Sequence, residues 1–435
     1  MGDMQGTRVQ VEITGVAHGG IFVARHEGRV VFVGDAIPGE TVIAEITDDS
    51  KSAFWRADTV EVVEASPHRQ GHVWEAASLE NAPADRAGGA EFGHIDLAHQ
   101  RELKRRVIAE SLSRMARIEL PVEVEALPAG DATGGLDNTG TGWRTRVRLH
   151  VDADGVAGPF AARSHRVIPV RDLPLAVRES DALTPLDGRY RGADFLDIIV
   201  PSIGEPIVVA SSGVAKVGKT AGKPAARPAP TRGSNTSIVE RVGDREFSLD
   251  LHGFWQVHRH AAQTLTTAVQ QAIDEHHFEA DAANLDLYGG VGLLAAAVGD
   301  RFGSGVRITT VESDPLATAY ATANLADLPG AVAETGRVER YLQRLRTGAG
   351  TVERARLERA TIVLDPPRSG AGKAVVGELA AFAPRQIVYV ACDPVALARD
   401  IALFAERGYV LSRLRAFDLF PHTHHVEAVA TLVRA

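Results

Sequence analysis

The chain has 435 residues, 45% of them hydrophobic, and a formal net charge of -9 at pH 7. This length predicts two or three domains, and the charge argues against indiscriminate nucleic-acid binding without excluding a local basic surface. A single cysteine excludes a disulfide framework and any metal or iron–sulfur site built from several cysteines, which suits a reducing compartment. The sequence shows no bilayer-length apolar run and no secretion signal, so we expect a cytoplasmic protein without membrane contact.

Residues 1–66 are predicted to form a small OB-like β-barrel. Short alternating strands from Val9 to Glu64 are separated by turns such as Gly19-Gly20 and Pro38-Gly39. Such barrels often bind nucleic acid, and a purely structural β-domain fits the pattern equally well. The basic and aromatic residues suited to single-stranded RNA are Arg25, Arg29, Lys51, Phe54, Trp55 and Arg56.

Residues 67–240 are predicted to form a central α+β domain that faces RNA. A helix is expected over 97–117, with apolar residues on one face and basic residues elsewhere, and it can dock on the catalytic domain. The predicted strand WRTRVRLHV, from Trp143 to Val151, alternates arginine with apolar residues. Phosphate contact and an ordinary solvated face are both consistent with these two elements. Further basic residues that can extend this surface are Arg163, Arg166 and Arg171.

The stretch over 211–237 is rich in Gly, Pro, Lys and Ser and has no apolar period, which predicts a disordered surface insertion. Its fragment GVAKVGKT lacks the spacing of a phosphate-binding loop. We therefore assign it no nucleotide-binding role.

Residues 241–435 alternate strands and helices, which predicts a Rossmann-like, doubly wound domain. NLDLYGGVGLL, from Asn284 to Leu294, is typical of a strand, a glycine-rich turn and a helix, where the backbone can approach a nucleotide cofactor. Glu312 ends the next predicted strand and is placed to bond ribose hydroxyls. This pattern alone fits a dehydrogenase as well as a methyltransferase.

Asp365 ends another predicted strand and is followed by Pro366, Pro367 and Arg368. Two prolines stiffen the loop and fix the direction of the carboxylate, so a planar base can be held there. Methyltransferases acting on planar bases use an acidic or amide residue followed by two prolines. A structural proline turn is the alternative.

The only cysteine follows a predicted buried strand, Gln386 to Ala391, in a turn closed by Pro394 before a helix that begins near Val395. Ligands of open α/β sheets lie beyond the carboxyl ends of the strands, and a helix N-terminus stabilises a thiolate. Cys392 is therefore a candidate nucleophile. A small buried hydrophobic residue is the alternative.

Glu427 lies at the start of the last predicted strand, where a carboxylate in a partly desolvated cleft has a raised pKa and can act as a base. A carboxylate on the rim of the cleft is the alternative. The nearby His422, His424 and His425 have no further ligand at regular spacing, so we expect no metal site.

These segments resemble the successive motifs of the RNA 5-methyluridine methyltransferases. The most specific are LDPPRSG and VYVACDPVALARD, and the predicted barrel over residues 1–66 is similar to the TRAM domain that many members have. The resemblance implies a class I methyltransferase domain, S-adenosylmethionine as cofactor, and a uridine of transfer or ribosomal RNA as substrate. By resemblance, Gln256, Tyr288, Glu312 and Asp365 bind the cofactor, Arg368 lies near the base, and Cys392 and Glu427 are catalytic.

The chemistry of uracil fits this assignment, because C5 is a poor nucleophile until a thiolate adds to C6. Cys392 is predicted to add to C6, C5 then takes the methyl group, and Glu427 removes the C5 proton. The uridine must be unstacked to react. Two other readings stay open: an amino-group methyltransferase of the same fold, which needs no thiol, and a non-catalytic RNA-binding protein.

The sequence departs from the family after the barrel, where many members hold an iron–sulfur cluster through four cysteines. The stretch from His72 to His94 has no cysteine, so we expect no cluster and a segment that is looser than in relatives. The turn DLYGGVG also has glycine where relatives often have cysteine. Nothing in the sequence indicates a dimer interface, and we expect a monomer.

Overall fold

A computed structural model of the chain describes residues 4–127, 139–180, 186–212 and 237–435. Residues 213–236, most of the predicted insertion, lie outside this part. Within it, the strands form a closed barrel, a four-stranded sheet, a two-stranded ribbon and an eight-stranded mixed sheet. The predicted order of a small barrel first and a Rossmann-like sheet last is confirmed.

The barrel forms because alternate residues of its strands point inward. In the first strand Val9, Val11 and Ile13 are buried while Arg8, Gln10 and Glu12 are exposed, the two-residue period of a strand with one face on a core. The barrel order is 1-2-3-5-4. The strands are β1 (Arg8–Ala17), β2 (Ile21–His26), β3 (Arg29–Gly34), β4 (Thr41–Asp48) and β5 (Phe54–Glu64).

The prediction that Trp55 offers an aromatic face to RNA is wrong, because its ring packs into the barrel core and only 6% of the residue is exposed. The Arg29 guanidinium covers this ring at 4.5 Å from its centroid. Arg25, Lys51 and Arg56 remain exposed. The predicted basic residues are therefore on the barrel surface, but Trp55 is not part of that surface.

Residues 67–96 are tied to the barrel by ion pairs. Arg69 donates to both carboxylate oxygens of buried Glu40, at 2.6 and 2.7 Å. Arg86 donates to Asp35 at 2.7 Å. Charge-assisted hydrogen bonds to the barrel thus hold this segment. Its short 3-10 helices are Glu75–Ala77 and Pro83–Asp85.

Helix α1 (Leu97–Ser111) continues into a π-helical turn, Leu112–Ala116, so the helix predicted over 97–117 is present. It does dock on the catalytic domain. Lys104 is 1% exposed, and its Nζ donates to Asp418 Oδ1 at 2.6 Å and to the Phe420 carbonyl at 3.0 Å. One lysine of the predicted basic face is thus an internal ion pair.

Lys104→Met is expected to destabilise the protein by roughly 3–5 kcal/mol, because it leaves the buried Asp418 carboxylate without its main partner. The free energy of unfolding in urea measures the effect, with the exposed Lys373→Met as the control. Adding Asp418→Leu to Lys104→Met should recover stability, since the unpaired charge is then removed. Equal unfolding midpoints for Lys104→Met and Lys373→Met would contradict this role for the pair.

The central sheet packs around Trp143, Leu149 and Ile198, which are buried. Its strand order is β10-β9-β7-β8, while β6 joins the catalytic sheet and β11 pairs with β12. The strands are β6 (Val124–Glu125), β7 (Arg146–Val151), β8 (Ala157–Gly158), β9 (Phe195–Ile199), β10 (Ile207–Ser211), β11 (Ser237–Val242) and β12 (Arg245–Asp250), and a 3-10 helix spans Arg178–Ser180.

Several arginines of the predicted central RNA surface bind carboxylates of the protein itself. Arg148 pairs with Asp197 of β9 at 2.6 Å, Arg163 pairs with Asp58 of β5, and Arg166 pairs with Asp85. These ion pairs reduce the positive charge that the sequence predicts for this face.

The catalytic sheet has the strand order β15-β14-β13-β16-β17-β19-β18-β6, with parallel pairing from β15 to β17 and antiparallel pairing of β19 with β17 and β18. Every residue of β13, β16 and β17 is buried, as expected for parallel strands covered by helices on both faces. The strands are β13 (Asn284–Leu287), β14 (Ile308–Glu312), β15 (Ala331–Thr335), β16 (Thr361–Leu364), β17 (Gln386–Ala391), β18 (Tyr409–Phe417) and β19 (Glu427–Arg434).

The helices of this domain follow the strands in alternation. They are α2 (Ala261–Ala272), α3 (Leu293–Phe302), α4 (Pro315–Asn324), α5 (Val338–Gly348), α6 (Thr351–Leu357), α7 (Gly372–Phe382) and α8 (Pro394–Ala405). In the part of the chain that the structure describes, none of the helices has the length and apolar character needed to cross a membrane.

Candidate active site

Four of the predicted site residues lie at the carboxyl ends of parallel strands. Tyr288 follows β13, Glu312 ends β14, Asp365 follows β16 and Cys392 follows β17. The strand order reverses between β13 and β16, which is the position of the ligand crevice in doubly wound sheets. These residues therefore share one edge of the sheet.

The glycine turn after β13 is tied to Glu312. The Glu312 carboxylate accepts from the Gly290 backbone N–H at 3.2 Å and from the Asp314 N–H at 2.8 Å. Gly289 has no room for a side chain, because a Cβ there would lie 1.9 Å from Thr310 Oγ1 and 2.6 Å from Asp286 Oδ2. In this chain, the space that a cysteine side chain would need is filled by the Thr310–Asp286 hydrogen bond of 2.9 Å.

Sequence reasoning missed Asp286, a fully buried carboxylate within β13. Its Oδ2 accepts from Thr310 Oγ1 at 2.9 Å and from the Ala295 N–H at 3.2 Å, while Oδ1 has no hydrogen-bond partner among the described residues. Burial raises the pKa of Asp286 to about 6. The available signal was a charged residue in the otherwise apolar strand leading to the glycine turn.

The register of β17 and β19 brings Cys392 and Glu427 together. These strands pair Ala391 with Ala428, so the neighbouring residues Cys392 and Glu427 lie at the same end of the two strands, where the charge of Glu427 acts on the thiol. Glu427 is 4% exposed, and burial, followed by the charge of Asp365, raises its pKa well above the usual range. A thiol and a carboxyl group that holds a proton tightly thus meet at one end of the sheet.

The expectation that a helix N-terminus lowers the pKa of the Cys392 thiol is wrong, because that pKa is raised. Burial, then the charges of Glu427 and Asp365, raise the pKa of Cys392 to about 12. The N-terminus of α8 is already occupied, because Asp393 accepts from the Val395 N–H at 3.0 Å and from the Ala396 N–H at 2.8 Å. The carboxylate of Asp393 therefore compensates the helix dipole before it can act on the thiol.

Asp365 and Arg368 supply the remaining charges near the thiol. Burial, followed by the charge of Asp286, raises the pKa of Asp365 to about 7. Arg368 opposes this trend, since its positive charge lowers the pKa values of both Cys392 and Glu427. The exposed Arg368 guanidinium lies 3.4 Å from the ring of His425.

A cavity of about 210 Å³ opens beside Cys392. Its volume lies below the roughly 300–1,000 Å³ of pockets for drug-sized ligands, which suits one planar base. Three parts of the chain supply its walls. They are the first turn of the barrel (16–20), helix α1 through Leu103, Lys104 and Val107 together with Phe92, and the catalytic loops around Arg368, Cys392–Pro394 and His424–Val426.

The comparison with known proteins agrees with this geometry. The family model of the tRNA (uracil-5-)-methyltransferases matches residues 330–435, and that of the TRAM domain matches residues 2–60. An uncharacterised RNA methyltransferase of Streptomyces avermitilis is 39% identical over 452 residues, covering 98% of both chains. The chain belongs to the RNA (uracil-5-)methyltransferase family. A second relative, an uncharacterised RNA methyltransferase of Bifidobacterium longum, is 32% identical and covers 98% of this chain and 97% of its own.

A solved structure is similar to this chain over almost its whole length. The tRNA (uracil-54, C5)-methyltransferase of Pyrococcus abyssi, in complex with S-adenosyl-L-homocysteine, matches with a TM-score of 0.66 and 20% identity, over 97% of this chain and 99% of that chain. This match and the TRAM model confirm the predicted barrel and class I methyltransferase fold, while the family models and the relatives confirm the family.

Gln256 and His422 lie away from the carboxyl ends of the strands. Gln256 lies in the loop between β12 and α2, partly exposed and next to the buried Trp255. His422 is buried, and its ring nitrogens contact Gln100 Nε2 at 3.0 Å and the Thr139 carbonyl at 2.6 Å. Across residues 4–127, 139–180, 186–212 and 237–435, no group of three or more His, Cys, Asp or Glu residues is arranged to hold a metal ion.

Proposed function

We propose that this protein transfers a methyl group from S-adenosylmethionine to C5 of a uridine in transfer or ribosomal RNA. The observation that supports this most directly is that Cys392, directly after β17, lies close enough to Glu427, the first residue of β19, and to Asp365 for both charges to act on the thiol. An amino-group methyltransferase has no need of a thiol at this position. A non-catalytic RNA-binding protein needs neither the thiol nor the carboxyl group.

The residues at the strand ends fit the proposed cofactor. The glycine turn and Glu312 suit the ribose, and the unpartnered Oδ1 of Asp286 is a buried acceptor beside that turn, suited to a cationic ammonium group. We assign Gln256, Tyr288, Glu312 and Asp365 to cofactor binding. When bound, S-adenosylmethionine supplies the methyl group as an electrophile.

The protein's own residues perform the remaining steps. Cys392 gives its proton to solvent, and its thiolate adds to C6 of the uracil, so that the electrons of the C5–C6 double bond move into the ring and make C5 nucleophilic. Arg368 stabilises the negative charge that develops on the ring, as it already favours the charged forms of Cys392 and Glu427. After methylation, Glu427 in the ionised form that Arg368 favours takes the C5 proton, the electrons of that bond restore the C5–C6 double bond, and the thiolate leaves.

The target uridine has to leave its stack, because the 210 Å³ cavity lies between the barrel, α1 and the catalytic loops. The exposed Arg25, Lys51 and Arg56 of the barrel provide positive charge for the flanking RNA backbone. We propose that the barrel holds the RNA while one base enters the cavity.

The function is tested by tritium release from tRNA and rRNA transcripts labelled at uracil C5, with the full chain and S-adenosylmethionine. We expect one tritium released for each methyl group incorporated, because C5 exchanges a proton for the methyl. Methyl incorporation without tritium loss would favour the amino-group enzyme. No incorporation into any transcript would favour the non-catalytic RNA-binding protein.

Glu312→Gln is expected to weaken S-adenosylhomocysteine binding roughly tenfold, since a charged acceptor for the ribose hydroxyls is replaced by an amide. Isothermal titration calorimetry measures the dissociation constant. Glu334→Gln is the matched control, because this exposed carboxylate lies near the end of the neighbouring strand β15. Equal affinities for the two variants would remove Glu312 from the cofactor site.

A further inference from the structure

The first turn of the barrel is part of the wall of the catalytic cavity. This segment, residues 16–20, comprises the end of β1 and the turn into β2, and its residues line the cavity together with Cys392 and Asp393. The barrel is therefore in contact with the reacting centre as well as being available for flanking RNA. A substitution in this turn can act on the active site directly.

Two contacts hold the turn against the catalytic domain. His18 Nε2 lies 3.1 Å from Asp393 Oδ2. Gly20 packs so closely that a Cβ there would lie 2.7 Å from the Cβ of His424, and its φ of +72° favours glycine. The turn thus meets both the loop after β17 and the loop before β19.

Asp393 directly follows the proposed nucleophile, and both of its carboxylate oxygens are engaged. Oδ1 accepts from the Val395 and Ala396 N–H groups at the start of α8, while Oδ2 faces His18. The contact with Asp393 raises the pKa of His18, which favours the charged imidazolium. The backbone that carries Cys392 is therefore held between helix α8 and the barrel.

The charge of Asp393 also acts on the thiol, whose pKa it helps to raise. An imidazolium at His18 offsets that negative charge. Without His18, Asp393 Oδ2 would lose its ion-pair partner. Both the position of Cys392 and its ease of ionisation therefore depend on this barrel residue.

We propose that His18 is a positioning residue of the methyltransferase site: through Asp393, it fixes the turn that presents Cys392 to the uracil. The proposal rests on the proposed function. It makes the TRAM barrel a working part of the catalytic centre, in addition to any role in RNA binding.

The test compares full-length wild type with His18→Ala and His18→Gln on the transcript that the wild type methylates. His18→Ala is expected to lower kcat roughly tenfold, the effect of losing one hydrogen bond to a charged group, with little change in KM for S-adenosylmethionine. His18→Gln should recover much of kcat, because its amide nitrogen can take the place of Nε2. The rate of covalent adduct formation with 5-fluorouridine-containing transcript should be lowest for His18→Ala and closer to wild type for His18→Gln.

His68→Ala is a matched control. His68 lies 2.7 Å from Asp96 Oδ2, Asp96 caps helix α1 through the His99 N–H, and the side chain of His68 is 45% exposed against 46% for His18. This pair does not line the cavity. If each histidine only supported a helix cap, both alanine variants would have a lower melting temperature and a kcat near that of the wild type.

A double-mutant cycle links His18 to Asp393. If His18 acts through Asp393, His18→Ala added to Asp393→Asn should cost much less than the product of the two single effects. A kcat for His18→Ala equal to that of His68→Ala, or full additivity with Asp393→Asn, would overturn the proposal while leaving the wild-type activity established. A wild type that releases no tritium would instead defeat the proposed function itself.

Discussion

Cys392→Ala is expected to abolish methyl transfer, lowering turnover by roughly 10⁴-fold or more, as removal of a covalent nucleophile does in other enzymes. No other thiol can substitute, because the chain has a single cysteine. Tritium release from C5-labelled transcript and methyl incorporation should both be lost. Covalent trapping of 5-fluorouridine-containing RNA, seen as a slower band on a denaturing gel, should be lost as well.

The alanine variant should keep its fold and its cofactor site. Cys392 is only partly buried and precedes the helix cap at Asp393, so its removal leaves a small change in packing. Calorimetry with S-adenosylhomocysteine and a thermal melt should therefore match the wild type. An active Cys392→Ala would exclude the C6-addition mechanism and favour the amino-group methyltransferase.

Glu427→Gln is expected to slow product release by roughly 10²- to 10⁴-fold, the usual contribution of a general base. The first steps do not need this base, so methyl transfer should proceed and the RNA should remain attached to Cys392. The measurable result is methylated RNA that co-migrates with the protein on a denaturing gel. Tritium release should fall with the same rate constant, since the C5 proton stays on the ring.

The stability of this variant is predictable from the pKa of Glu427. Burial raises that pKa in the folded protein, so ionisation costs folding free energy as the pH rises above the unfolded-state value. A neutral glutamine removes this cost, and Glu427→Gln should be at least as stable as wild type at pH 7. The exposed Glu406→Gln serves as the control for activity. Normal tritium release by Glu427→Gln would transfer the role of base to another group, with Asp365 as the next candidate.

Local sequence signals predicted the elements that carry the site. The strand from Gln386 to Ala391 was predicted with the bounds that the structure shows, and helix α8 begins one residue before the predicted Val395. The helix over 97–117 was predicted from its apolar period. Such signals succeed because periodicity, prolines and caps act within a few residues along the chain.

Tertiary structure alone decided how these elements meet. The meeting of Cys392 and Glu427 at one end of the sheet depends on the register of two strands separated by a helix and a third strand. The inward turn of Trp55 and the contact of His18 with Asp393 likewise depend on long-range packing.

The sequence by itself therefore determined the family and the strand ends, and it supplied the candidates for the reactive side chains. The structure decided how deeply these side chains are buried and which charges surround them. Burial and those charges raise the pKa of Cys392 to about 12, whereas its position before a helix had predicted a stabilised thiolate. The physical reason is that desolvation and Coulomb interactions depend on distance and burial in space. Neither quantity is encoded in the spacing of residues along the chain.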